Sequence, residues 1–379
     1  MQWKIPLSDI DFGPEERAAV DDVLQSRWLT MGSVTEEFEQ DFAAYTGAKH
    51  ALAVTNATAA LHLSCVAAGL GPGDEAIVPS LTFVATANAV RYTGATPVFA
   101  DITGEHDLNI SYHSIEHAIT ERTRAILVMH YGGYACDMPS IMELAHEHGL
   151  KVIEDAAHAV GSELGGIKLG TWGDLGCFSF FSNKNMTTGE GGMLVTDNDT
   201  YAQRVRLLRS HGMTTLTWDR HKGHAWSYDV VDLGYNYRID EIRAVLGKVQ
   251  LKKLAANNER RRRLTQVYRD ALQELSPQVV IPFTNHPGIS AAHLMPVLLP
   301  AGANRPGFME NMKSQGIQTS IHYPPIHSFT AYTGGKPISA LPNTEEIASR
   351  EVSLPLYPAM SDEDVFTVAK AITLALMRA

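Results

Sequence analysis

Between residues 51 and 153 short apolar runs alternate with helix-patterned stretches, and this alternation limits the possible folds more than any other feature. Residues 51–54, 76–78, 97–100, 125–130 and 152–153 read as strands. Residues 58–69, 82–92 and 140–148 read as helices between them. Such alternation predicts a mostly parallel sheet covered on both faces, an α/β fold. Two amphipathic helices precede it, at 15–28 and 35–45, the first opened by Pro14 and the second stopped by Gly47. Past Gly234 the pattern changes. A long helix from 240 to 258 runs into Glu259 and four arginines, Arg260 to Arg263. A smaller α+β unit follows: helix to 275, strand 293–299, helix 307–315, strand 319–322 and a last helix from 362. We therefore expect a large domain over residues 1–250 and a small one over 251–379.

Composition excludes several function classes. The chain has 379 residues, 45% hydrophobic and 19% charged, without the roughly 20 uninterrupted apolar residues of a membrane span. A formal charge of −11 argues against non-specific nucleic-acid binding. The four arginines point different ways on a helix and read as a solvated face. Three scattered cysteines (Cys65, Cys136, Cys177) and an N-terminus lacking a signal-type apolar core fit reduced thiols and a cytoplasmic location. No GxGxxG follows a strand and no GxSxG occurs, against a dehydrogenase or a serine hydrolase. His113 and His117 are spaced like a helical metal pair, but no third ligand is nearby, and no metal is expected.

The stretch 176–196, GCFSFFSNKNMTTGEGGMLVT, places Lys184 in a polar loop between two apolar strands, followed by three glycines around Glu190. Desolvation lowers an ammonium pKa and makes the amine a nucleophile toward an aldehyde. A plain hairpin lysine fits the loop as well. Ligands of open α/β sheets gather at strand carboxyl ends, and three further stretches lie there. Asp155 follows strand 152–153, where a carboxylate could partner a cation or cap a helix at Ala156. Asn56, Ala57 and Thr58 follow strand 51–54, at a helix start suited either to a phosphate or to ordinary capping. Phe83 follows strand 76–78 and could stack on a flat ligand or pack in the next helix.

Taken together and in order, NATAALHL, PSLTFVATANAV, EDAAHA, FSF, NKN…GEGG and LGYNYRIDEIRA resemble the DegT/DnrJ/StrS family of sugar aminotransferases. The resemblance continues through IHYPPIH and SLPLYP and so covers nearly the whole chain. It implies the aspartate-aminotransferase-like fold (fold type I) and pyridoxal 5'-phosphate as cofactor. By the family's pattern Lys184 forms the Schiff base and later moves the proton. Asp155 pairs with the pyridinium nitrogen, the interaction that keeps the ring an electron sink. His158 meets the ring hydroxyl, Phe83 stacks on the ring, and Ala57, Thr58 and Ser179 hold the phosphate. Asn236 reaches the cofactor of a neighbouring subunit, which makes a homodimer with shared sites the working unit. Arg238, His322 and Tyr323 are implied as substrate-binding.

L-Glutamate is the implied amino donor and a nucleotide-linked keto-sugar the acceptor. The segment His130 to Met138, HYGGYACDM, with NATAAL and SNKN, looks closer to members acting at C4 of a 4-keto-6-deoxy sugar than to those acting at C3. A cyclitol ketone and a non-catalytic cofactor-binding regulator are the alternatives. Lys184 argues against the dehydratase branch, which carries histidine there.

Overall fold

The computed structural model describes residues 3–215, 223, 227–333 and 340–377. Its centre is a seven-stranded sheet built from β1 (His50–Val54), β2 (Glu75–Pro79), β3 (Thr96–Ala100), β4 (Thr123–Met129), β5 (Lys151–Asp155), β6 (Leu175–Ser179) and β7 (Gly192–Thr196). The spatial order is β1-β7-β6-β5-β4-β2-β3, and only β7 runs antiparallel to its neighbours. Strands buried on both faces need apolar residues at every position, which is why Ala76 to Val78 and Ala125 to Val128 form unbroken runs, all fully buried. The helices Ala57–Ala67 and Ala85–Tyr92 pack on one face around Leu61, Leu63 and Val90. On the other face Phe38 and Phe42, from the helix Ser33–Thr46, meet Phe178 and Phe180 edge-on or tilted, with centroids 5.0–5.6 Å apart.

The long helix is longer than expected, one continuous element from Glu241 to Leu275. Its first half lies against Phe38 through Gly247 and carries Leu254 into the same core. Its second half carries Leu264, Tyr268 and Leu272 into a separate core with Val297, Val352 and Ile372. That second core surrounds a two-stranded antiparallel ladder of β8 (Met295–Leu298) and β9 (Glu351–Leu354), backed by the helix Asp362–Leu376. Ile5, near the N-terminus, packs into it as well.

Three expectations are corrected. Residues 319–322 form no strand; Ser320 makes a single bridge to Ser353, and β9 supplies the ladder instead. The helix expected from 82 starts at Ala85, so Phe83 lies in the turn and is 56% exposed rather than packed in a helical core. The arginine run is not a solvated face throughout: Arg261 is buried, its Nη1 donating to the Leu356 carbonyl at 2.8 Å. Burial pushes its guanidinium down to about 10, because among the described residues no anion lies beside it to offset the lost hydration.

Candidate active site

Nine of the eleven residues that the resemblance implies as site residues line one cavity of about 430 Å³ at the carboxyl ends of the strands, with Asn56 beside them: Ala57, Thr58, Phe83, Asp155, His158, Ser179, Lys184, His322 and Tyr323. Asn236 and Arg238 are not among its lining residues. Asn236 is exposed and bridges Ser210, while Arg238 donates to the Ser210 hydroxyl at 3.0 Å.

The lysine loop is held from both ends. Phe180 N–H donates to Gly191 O and Thr188 N–H to Phe180 O, each at 2.9 Å, so the loop leaves and rejoins the sheet at one place. Asn185 anchors the middle. Its side-chain amide donates to Asn258 Oδ1 (2.7 Å) and Ala291 O (2.8 Å), and its Oδ1 lies 2.8 Å from His293 Nδ1. Lys184 is thereby fixed in a half-buried position where desolvation lowers its pKa to about 8, partly opposed by the charge of Asp155.

Asp155 is the last residue of β5 and caps no helix; a turn follows. Thr86 Oγ1 donates to its Oδ2 (2.7 Å) and Ala157 N–H to its Oδ1 (3.1 Å). Burial raises its pKa, with those hydrogen bonds and the Lys184 charge opposing. A buried carboxyl in this state gains by meeting a cation. Because side chains alternate across a strand, Glu154 points the other way. There it accepts from His130 Nε2 (2.9 Å) and from the N–H groups of Gly170, Trp172 and Gly173 (each 2.7 Å). That carboxylate ties the strand end bearing Asp155 to two neighbouring segments.

Asn56 caps the helix Ala57–Ala67 by accepting from Ala59 N–H at 2.8 Å, so the capping account holds for that residue. The first-turn N–H groups of Ala57 and Thr58, which helix geometry leaves without intrahelical partners, lie where these residues line the cavity. Sequence reading assigned no site role to Thr82, Thr86, Phe181, Asn183 or Glu190, although Thr86 reaches Asp155 and the other four line the cavity. Thr86 stands four residues after Thr82 in the helix-start segment, and that spacing was the available signal. Among the described residues no cluster of three metal-ligating side chains occurs.

These residues fit pyridoxal phosphate. An amine with a depressed pKa, a buried carboxyl short of a cation, an exposed ring at the cavity wall and a helix N-terminus supply what its aldehyde, ring nitrogen, ring face and phosphate need. Fold and site together define a fold type I pyridoxal-phosphate aminotransferase.

The chain belongs to the DegT/DnrJ/EryC1/StrS aminotransferase family, whose model matches residues 11–373. It is 42% identical over 379 residues to the spore coat polysaccharide biosynthesis protein SpsC of Bacillus subtilis, covering 98% of this chain and 96% of that one. Among solved structures, DesI in the presence of its TDP-sugar product is 34% identical with a TM-score of 0.89, over 100% of this chain and 93% of that one. Spr1654 of Streptococcus pneumoniae in its PMP form is 28% identical with a TM-score of 0.93, over 99% of each chain, and a PLP form of it is also solved.

Proposed function

We propose that the enzyme transfers the amino group of L-glutamate to C4 of a nucleotide-linked 4-keto-6-deoxy sugar, in a cytoplasmic pathway that makes aminodeoxy sugars. The observation that carries this reading is the convergence of Lys184, Asp155, His322 and Tyr323 on one cavity. Bound pyridoxal phosphate supplies the electron sink for both half-reactions. The protein does the rest. Lys184, neutral in a sizeable fraction near pH 8, takes and returns the proton at the reacting carbon. Asp155 holds the ring nitrogen's proton, and Thr86 and Ala157 keep that carboxyl oriented. Ser179, Ala57 and Thr58 bind the phosphate, and Phe83 covers a ring face. DesI was solved with a TDP-sugar product, which favours a nucleotide sugar over a free cyclitol here. C4 rests on the segment His130 to Met138. Its Tyr131 hydroxyl donates to the His322 carbonyl, so that segment shapes the cavity through His322.

The homodimer reading rests on a second observation. The segment leading to Asn236 exposes Val230 (56%), Val231 (55%) and Leu233 (82%), apolar surface that a partner subunit would cover. If Asn236 serves the partner's site, inactive Lys184→Ala and Asn236→Ala chains refolded together regain activity. Half of the dimers are then hybrid and each hybrid holds one intact site, giving about a quarter of wild-type activity. No recovery refutes the shared site. The acceptor is tested by converting the enzyme to its amino form with glutamate, then offering 4-keto and 3-keto nucleotide sugars and a cyclitol ketone. Amination of the 4-keto sugar is expected; reaction with a 3-keto sugar alone overturns the choice of carbon.

A further inference from the structure

The hydrogen bonds behind His322 and Tyr323 have directions that fix what each side chain shows to the cavity. Glu351 is buried in β9. Its Oε2 accepts from His322 N–H (2.8 Å) and its Oε1 from the Ser353 hydroxyl (2.7 Å). Burial raises the Glu351 pKa to about 7 against the pull of these hydrogen bonds, so above that pH it is a carboxylate, which only accepts, and the Ser353 proton is then committed to it. The 2.8 Å contact between Ser353 Oγ and His322 Nδ1 must then be donated by the histidine. His322 is therefore protonated on Nδ1, and its Nε2, which has no hydrogen-bond partner among the described residues, is a lone-pair acceptor. Burial and the charge of Lys184 hold the ring's pKa down at about 4, which keeps it neutral and places it within electrostatic reach of the amine.

The same logic runs the other way for Tyr323. Gly132 N–H donates to His158 Nδ1 (3.3 Å). Burial holds His158 neutral, so its single proton is on Nε2 and is donated to the Tyr323 oxygen at 2.9 Å. The phenol's own proton is left for the cavity. Burial raises the Tyr323 pKa, and the group stays protonated. Adjacent in sequence, with ring centroids 5.0 Å apart and planes at 85°, the two side chains present one acceptor and one donor side by side.

We propose that His322 and Tyr323 form a fixed acceptor–donor pair that selects a ketone bearing a hydroxyl on the neighbouring carbon. Tyr323 donates to the carbonyl oxygen and His322 Nε2 accepts from the vicinal hydroxyl; Glu351 is the positioning residue that sets the histidine's polarity. This rests on the keto-sugar reading above and adds the substrate feature that is read.

Glu351→Gln tests the polarity without removing the pair. An amide N–H directed at Ser353 makes that hydroxyl donate to His322 Nδ1 instead, moving the imidazole proton to Nε2 and replacing the acceptor by a donor. In the 15N-histidine-labelled holoenzyme, with the His322 resonance assigned by its loss in His322→Gln, long-range proton–nitrogen spectra report the tautomer directly. Above about pH 8, where Glu351 is ionised, wild type should show Nδ1–H at His322, and Glu351→Gln should show Nε2–H. In kinetics, wild type should favour a 4-keto nucleotide sugar with a 3-hydroxyl over its 3-deoxy counterpart by about 10–100-fold in kcat/KM, the cost of one lost buried hydrogen bond. Glu351→Gln should shrink that ratio below about 3-fold, and Tyr323→Phe should slow both substrates alike. An Nε2–H tautomer in wild type, or equal handling of the two sugars, overturns the proposal. If no keto-sugar reacts, the functional reading falls, and the tautomer still decides the polarity.

Discussion

Lys184 should titrate far below an ordinary lysine even before any cofactor binds. At a pKa of about 8, roughly a quarter of the side chain is uncharged at pH 7.5, against about one part in a thousand at the usual lysine value, a difference of about 200-fold. Competitive acetylation of the cofactor-free enzyme, read by mass spectrometry of the Lys184 peptide, measures this as a rate against pH. The midpoint is expected near 8, far below the usual lysine value. Asp155 opposes the shift, so Asp155→Asn should move the midpoint lower still. The linkage has a definite sign. Between about 8 and 10.5 the unfolded chain binds the Lys184 proton and the folded chain does not, so this group's contribution to stability improves as pH rises through that window. Below it the penalty is fully present, and Lys184→Met should stabilise the cofactor-free protein. The pKa gap sets a ceiling of about 3 kcal/mol, and cavity water reduces the expected gain to about half of that. A midpoint near 10.5, or one that rises in Asp155→Asn, would refute the assignment of burial as the cause.

Other predictions concern the supports of the site. Gly192→Ala places a methyl against the Asn56–Ala57 turn, 2.7 Å from Ala57 N, and should weaken binding of both cofactor and free phosphate by about 10-fold or more, measured by calorimetry. Glu154→Gln cannot accept from all four donors around that carboxylate, and should cost about 2–4 kcal/mol in urea unfolding. Arg261→Met replaces a buried guanidinium that has no anion beside it among the described residues, and should leave the melting temperature unchanged or higher; a loss above about 2 kcal/mol would show that its bond to Leu356 outweighs the desolvation.

Much of the fold was legible because parallel strands buried on both faces must be apolar throughout, and Ile77, Val78, Leu127 and Val128 announce this without any partner in view. Lys184, Asp155 and the Asn56–Thr58 turn were legible for a related reason: each lies at, or a few residues beyond, the carboxyl end of a buried strand. Two readings failed where local pattern and tertiary context diverge. Residues 319–322 look extended, but only Ser320 finds a ladder partner. The arginine run looks solvated, yet Arg261 continues the buried stripe of Leu254, Asn258, Leu264 and Tyr268. That helical spacing was present in the sequence and was masked by charge. Glu351 could not have been found this way. It acts on His322 from 29 residues away, through a serine that carries no signal of its own.

The most direct test of the central claim is where the cofactor attaches and what then accepts nitrogen. The enzyme loaded with pyridoxal phosphate is reduced with borohydride and its peptides mapped, while a parallel sample is given glutamate and then the 4-keto-6-deoxy nucleotide sugar. The account predicts a single cofactor adduct on Lys184, absent in Lys184→Ala, together with formation of the 4-amino sugar. An adduct on another lysine, or a Lys184→Ala enzyme that still aminates the sugar, would contradict it.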